Sequence, residues 1–136
     1  TDSADTIYIN RNKKKLLSSI SLQIEKKLKN NHSVYVFPES IATDGSKLLP
    51  FKSNFFQTAI NSKIDILPIA IQYTEQNNFT SAPSYAGEIS LLQSILTLKK
   101  TKNLKAKLTV LPRIKAIKDR KIIANKTHQM INKALN

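Results

Sequence analysis

The stretch from Val34 to Tyr73 decides the fold, and it reads VYVFPESIATDGSKLLPFKSNFFQTAINSKIDILPIAIQY. Two apolar, β-branched runs, at 33–37 and 64–73, have the composition of buried strands. Between them, residues 39–53 show no periodicity and contain the polar and turn-forming residues of a loop. Loops of this length between packed elements are often functional. The stretch therefore predicts two buried strands, a functional loop and a short helix over 54–61.

The sequence on either side continues the alternation of strands and helices. Upstream, a short strand is predicted at 6–9 and an amphipathic helix at 13–30, with apolar residues four positions apart. Downstream, a helix is predicted around 89–96, a strand at 104–110 and a last helix from about Asp119. The strand at 104–110 alternates apolar and lysine residues, which predicts one dry face and one basic, wet face. This order predicts an α/β fold with a largely parallel central sheet flanked by helices.

Composition limits the classes of protein that the chain can represent. The 136 residues suit one domain or part of one, and the first residue, Thr1, favours removal of an upstream segment. With no cysteine, disulfide scaffolds, thiol nucleophiles and cysteine-ligated metals are excluded. The formal charge is +13, and 12 of the 22 basic residues lie in 99–136 beside a single acid, Asp119. This basic end favours a polyanionic partner such as a lipid surface, a phosphorylated ligand or nucleic acid.

The residues from Phe37 to Phe51 resemble the glycerophospholipid acyltransferases, most closely the bacterial lysophosphatidic acid acyltransferases. The third motif of that family is FPEGT, and residues 37–41 read FPESI, followed by T-D-G at 43–45 and L-L-P-F at 48–51. The apolar run 66–71 with its internal proline is similar to the fourth motif. The apolar run 7–9, which leads to Arg11, is similar to the second. The resemblance covers the chain from about Thr6 to its C-terminus.

Two departures from the family pattern bear on catalysis. The glycine of FPEG is Ser40, and the first motif, NHxxxxD, is absent. Asn31 and His32 do not replace it, because the fifth residue after His32 is Phe37 rather than an acid. In the family this histidine is the general base that removes the proton of the acceptor hydroxyl. The resemblance thus implies that residues 1–136 are the C-terminal portion of a single acyltransferase domain. It also implies that this chain alone is inactive.

The resemblance assigns the acceptor-binding part of the site to this chain. Arg11 would bind the acceptor phosphate, because its planar guanidinium donates two parallel charged hydrogen bonds. Glu39 would order the site or contact the headgroup. A further family arginine corresponds to Ala42, so Lys47 or Lys52 would supply the second phosphate contact. No catalytic residue and no metal ligand is predicted here. The candidate substrate-binding residues are Arg11, Phe37, Pro38, Glu39, Ser40, Thr43 and Gly45.

The activity implied by the resemblance is transfer of a fatty acyl group to the sn-2 hydroxyl of 1-acyl-glycerol-3-phosphate. The donor would be acyl-CoA or acyl carrier protein as a co-substrate, with no metal or covalent cofactor. The other partners would be the lysophospholipid acceptor and an anionic membrane surface. The expected location is the cytoplasmic face of the membrane, peripheral or anchored by an upstream segment.

Other interpretations of these residues remain open. Without the resemblance, the sequence around Arg11 would indicate the solvated start of a helix. His32 would be expected in a loop, and His128 at the surface. The chain could also be a catalytically inactive module that docks on anionic lipid. Nucleic-acid binding is disfavoured, because residues 99–136 contain no aromatic side chain for base stacking and no recognisable motif.

Overall fold

The computed structural model of the chain contains both helices and strands. It describes residue 7 and residues 16–84, 90–116 and 119–136. The strand expected at 6–9 and Arg11 fall outside these residues, apart from Ile7. The elements are α1 (Leu16–Lys29), α2 (Asn54–Ser62), β1 (Ile69–Glu75), β2 (Asn78–Phe79), α3 (Leu91–Lys100), β3 (Leu104–Val110) and α4 (Arg120–Leu135).

The four helices confirm the sequence prediction, and local signals explain where they begin and end. α1 is followed by a turn at Asn31, whose φ of 60° is tolerated by asparagine and whose N–H donates to the Leu28 carbonyl. α3 begins with a capping box, in which Ser90 and Gln93 each accept the backbone N–H of the other. α4 begins at Asp119, whose carboxylate accepts the N–H groups of the first turn.

The sheet has the order β2-β1-β3, and both of its pairings are antiparallel. β1 and β2 form a hairpin whose two linking residues, Gln76 and Asn77, both have positive φ, as a type I′ turn requires. β3 begins opposite the end of β1, with Leu104 paired to Glu75. After α3, the chain therefore re-enters the sheet at the same end at which the β1–β2 hairpin lies. The mixed helix and sheet prediction is confirmed, but the largely parallel sheet is not confirmed by the described strands.

The strand predicted at 33–37 does not form in this structure. The segment is extended but has no ladder partner among the described residues, and Phe37 is 76% exposed. The run is hydrophobic, but a buried strand also needs a neighbouring strand to pair with and another element packed against its face. The second predicted strand, 64–73, is confirmed from Ile69 onwards and continues to Glu75. A bridge between Ile66 and Ile114 extends its pairing towards the core.

The prediction that the apolar side of β3 is the dry one is wrong, because α4 covers the opposite face of the sheet. Ala70 of β1 is buried, and the Gln72 side chain donates to the Leu135 carbonyl of α4 at 3.3 Å. Because successive side chains of a strand point to opposite faces, Ala70 and Gln72 lie on one face and Ile71 on the other. Ile71 pairs with Leu108 of β3. Leu108 is 61% exposed. The apolar face of β1 and β3 is therefore the open one.

The core lies between α2, α4 and the segment around Ile114. Its buried cluster consists of Phe56, Ile114, Ile123 and Ala124. Phe51, Phe55, Ile60, Ile66 and Met130 pack against this cluster. Phe51, Phe55 and Phe56 therefore all contribute to this core. Within the described ranges, no helix is both long and apolar enough to cross a bilayer.

Candidate functional site

The loop between Phe37 and Lys52 is closed at its base by backbone hydrogen bonds. The Ser40 N–H donates to the Phe37 carbonyl at 3.3 Å, which makes a turn with Pro38 at its second position. The Lys52 N–H donates to the Pro38 carbonyl at 2.9 Å and brings the two ends of the loop together. The loop therefore has a defined base before any side chain contributes.

Glu39 fixes the middle of this loop. Its Oε2 accepts the Leu49 N–H at 2.7 Å, across ten residues of sequence and in a partly buried position. A carboxylate that accepts a backbone N–H forms a charge-assisted bond, which is stronger than a neutral one. Of the two roles open for Glu39, ordering the site is the one that has a contact in this structure.

The T-D-G segment forms a compact turn through its own side chains. Thr43 Oγ1 accepts the Gly45 N–H at 3.2 Å. Asp44 Oδ1 accepts both the N–H and the hydroxyl of Ser46, at 3.0 and 2.7 Å. These bonds favour the ionised carboxylate and lower the pKa of Asp44, the Ser46 N–H contributing most. Gly45 has a φ of 78°, which explains the need for glycine there.

His128 of α4 contacts the far end of the loop. Its Nε2 lies 3.4 Å from the Leu48 carbonyl, which can accept a proton carried on that nitrogen. The Phe51 ring meets the imidazole edge-on, with the ring centroids 5.2 Å apart. His128 is therefore partly buried against the loop and is not a freely solvated surface side chain. His32, in contrast, is exposed in the segment after α1, as predicted.

An open groove of about 1090 Å³ lies between the loop, the β1–β2 hairpin and the C-terminal part of α4. Its lining combines apolar side chains with hydroxyl, amide and carboxylate groups, a mixture that suits a ligand with polar and apolar parts. Apolar lining residues include Phe37, Ile41, Ile71, Phe79 and Leu135, and polar ones include Glu39, Thr43, Lys47, Gln72, His128 and Asn132.

The structure brings part of the predicted site together. Phe37, Glu39, Thr43 and Gly45 line the groove, while Pro38 and Ser40 shape the turn beneath them without lining it. Arg11 lies outside the described residues. Of the two lysines considered for the second phosphate contact, Lys47 lines the groove and Lys52 does not. Sequence reasoning missed Gln72, Tyr73, His128 and Asn132 as lining residues.

Ser40 adopts a conformation that favours glycine. Its φ is 63°, in the left-handed region, which costs a residue with a Cβ about 1 kcal/mol. The family glycine at this position therefore has a conformational reason. Ser40→Gly should raise the free energy of unfolding by about 0.5 kcal/mol, because the relieved strain exceeds the added entropy of the unfolded chain.

Urea unfolding of the two serine variants checks this prediction. Ser53 is the matched control, because its φ is −59° and its side chain makes no capping hydrogen bond. Ser53→Gly should lower the midpoint of unfolding, whereas Ser40→Gly should raise it. A lower midpoint for both would contradict the strain at Ser40.

Within the described part of the chain, no three His, Cys, Asp or Glu side chains are grouped as ligands of a metal ion. Glu39, Asp44 and His128 are the titratable side chains of these types that line the groove. Each of them makes a hydrogen bond to the backbone of the loop or of the T-D-G turn. In this structure they therefore shape the groove.

The fold and the groove define an α/β protein with a hydrogen-bonded polar loop beside a groove of mixed polar and apolar lining. The family model described as Acyltransferase matches residues 1–72, which is more than half of the chain. The chain belongs to the acyltransferase family, and within it to the glycerophospholipid acyltransferases. The resemblance of the FPE motif is thereby confirmed.

Curated relatives support this assignment. A 1-acyl-sn-glycerol-3-phosphate acyltransferase of Neisseria gonorrhoeae is 36% identical over 100 residues, which cover 71% of this chain and 39% of that protein. One of Salmonella typhimurium is 33% identical over 69 residues, or 50% and 28% of the two chains. A lyso-ornithine lipid O-acyltransferase of Rhodobacter capsulatus is 29% identical over 73 residues, or 51% and 26%. The chain thus spans about two fifths or less of these relatives. No solved structure matches it.

Proposed function

We propose that the protein is an O-acyltransferase that acylates the sn-2 hydroxyl of 1-acyl-glycerol-3-phosphate and forms phosphatidic acid. The observation that carries this proposal is the FPE loop, held by the bond between Glu39 and Leu49 on the wall of a half-apolar groove. The relatives named 1-acyl-sn-glycerol-3-phosphate acyltransferases support the choice of acceptor.

In this proposal the groove holds the acceptor. Its apolar lining, with Phe37, Ile71 and Leu135, suits the acyl chain of the lysolipid. Arg11 binds the phosphate as a charged fork, and Lys47, which lines the groove, adds the second cationic contact. Glu39 holds the loop that carries Thr43 and Gly45 towards the acceptor.

The catalytic base belongs to a part of the protein outside these residues. The proposal places the His and Asp of NHxxxxD there, with residues 1–136 as the C-terminal portion of the domain, inactive alone. The histidine removes the proton of the sn-2 hydroxyl, and the oxygen attacks the thioester carbonyl of acyl-CoA or acyl carrier protein. The C–S bond then breaks, and the leaving thiolate takes the proton from the histidine. This chemistry needs no metal or covalent cofactor. The proposed location is the cytoplasmic face of an anionic membrane, where the acceptor resides.

Replacing Arg11 in the whole protein tests the acceptor assignment. Arg11→Ala should raise the KM for 1-acyl-glycerol-3-phosphate about 20-fold, because a charged, bidentate hydrogen bond to the phosphate is lost. The KM for the acyl donor should change little, since the donor lies elsewhere. Steady-state kinetics with each substrate varied in turn measures both values.

Lys13→Ala is the matched control, because it removes a neighbouring cation that has no assigned role. It should leave both KM values within about twofold, because Lys13 has no assigned contact with either substrate. Unchanged kinetics for Arg11→Ala would contradict the phosphate assignment. A whole protein that binds anionic lipid but transfers no acyl group would favour the inactive lipid-binding module instead.

A further inference from the structure

α3 is attached to the rest of the described fold at two points, because Ser94 is buried and the Lys102 N–H, just after the helix, donates to Glu75 Oε1 of β1 at 2.9 Å. It packs extensively against no other described helix or strand. Its start is stabilised locally by the capping box of Ser90 and Gln93, at 3.0 and 3.2 Å. The start of the helix is therefore set by its own sequence.

One side of α3 is apolar and open. Leu92, Ile95 and Leu96 follow the i, i+3, i+4 spacing, which places them on one side of the helix. Leu92 is 66% exposed, and the other two are each 48% exposed. Three large aliphatic side chains together on a solvent-exposed helix indicate a surface with a function.

The same helix ends in a cluster of positive charge. Lys99 and Lys100 occupy its last turn, and Lys102 follows it directly. Residues 90–116 contain seven lysine and arginine residues and no aspartate or glutamate. Glu75 of β1 is an acid beside this cluster, since its Oε1 accepts the Lys102 N–H. The three lysines still outnumber it, and an apolar side next to this excess of positive charge complements an anionic lipid headgroup.

We infer that α3 lies in the interface of an anionic bilayer, with Leu92, Ile95 and Leu96 inserted below the headgroups and the lysines at 99, 100 and 102 on the lipid phosphates. These six residues are called the α3 surface. The inference deepens the proposed function and rests on it, because it assigns a specific surface to the membrane partner. The apolar side chains argue against nucleic acid, whose phosphate backbone offers them no apolar environment.

Single tryptophans test this orientation directly, because the chain contains none of its own. Leu92→Trp and Leu96→Trp place the probe on the open apolar side, and Thr97→Trp is the matched control on the opposite side of the helix. With vesicles of phosphatidylglycerol and phosphatidylcholine, emission should shift to shorter wavelength for the first two variants and remain unchanged for the third. Far-UV circular dichroism checks that each variant of the 136-residue chain keeps its helices.

The lysines are tested by their contribution to vesicle affinity. Replacing the lysines at 99, 100 and 102 by glutamine should weaken binding to phosphatidylglycerol vesicles about a hundredfold, since each lysine near such a surface contributes about fivefold. The control replaces Lys115, Lys121 and Lys126, which are also exposed but lie outside the α3 surface. It should weaken binding much less.

Several results would overturn the inference. One is the absence of an emission shift for Leu92→Trp and Leu96→Trp with anionic vesicles, and another is an equal shift for Thr97→Trp. A third is a shift that depends on protein concentration without lipid, which would indicate that a second copy of the chain covers this side. Salt-sensitive nucleic-acid binding without vesicle binding would also overturn it. Vesicle binding needs no catalysis, so it remains distinguishable from a failure of the acyl-transfer assignment. Loss of turnover with intact vesicle binding would affect only the proposed function.

Discussion

Glu39→Ala in the whole protein should lower kcat/KM for acyl transfer about a hundredfold. The carboxylate of Glu39 accepts the Leu49 N–H at 2.7 Å and holds the loop that lines the groove. Without it, a partly buried N–H loses its partner and the loop can move relative to β1. A displacement of about 1 Å in a substrate-positioning element is enough for a loss of this size.

Glu39→Gln separates positioning from direct charge contact. The amide oxygen of glutamine can accept the same Leu49 N–H, but it carries no charge. If Glu39 acts through the loop, Glu39→Gln should recover most of the kcat/KM that Glu39→Ala loses. Equal losses in both variants would instead show that the charge of Glu39 acts on the acceptor. Steady-state kinetics of the two variants gives this comparison.

Glu25→Ala is the matched control for both variants. Glu25 is also a hydrogen-bonded carboxylate, since its Oε1 accepts the Asn61 side chain at 3.1 Å. It lies on α1 and does not line the groove. Its removal should leave acyl transfer unchanged. A comparable loss in Glu25→Ala would mean that general destabilisation, rather than the loop, explains the effect of Glu39→Ala.

Local patterns predicted the helices, because a helix is decided by residues three and four positions apart. The four described helices agree with the periodicity of the sequence, and the caps at Ser90 and Asp119 lie where polar side chains precede apolar runs. The FPE loop was also predictable, since its turn residues and its motif lie within one short stretch. Its Glu39 and Thr43 line the groove.

Contacts between distant elements were not predictable from these patterns. The alternation in β3 identified two faces correctly, but the covered face was decided by α4, which packs on the side of Ala70. His128 reaches the carbonyl of Leu48, 80 residues earlier, and no local signal marks such a pair. The strand expected at 33–37 failed for a similar reason, because β pairing depends on a partner strand as much as on composition.

The same long-range packing makes Ile123 the most sensitive core position of α4. Its side chain is fully buried, with no exposed surface, among Phe56, Ile114 and Ala124. This cluster joins α4 to α2 and to the segment that bridges to β1. Because α4 also carries His128 and Asn132 to the groove, the position of the groove wall depends on this packing.

Ile123→Ala should lower the free energy of unfolding by about 3 kcal/mol, since a buried isoleucine is replaced by a cavity that the cluster cannot fill. Ile122→Ala is the matched control, because the neighbouring isoleucine on the same helix is 55% exposed. It should change the stability by no more than about 0.5 kcal/mol. Urea unfolding followed by far-UV circular dichroism measures both values. Equal midpoints for the two variants would contradict this core, because the same side chain would then contribute equally at a buried and an exposed position.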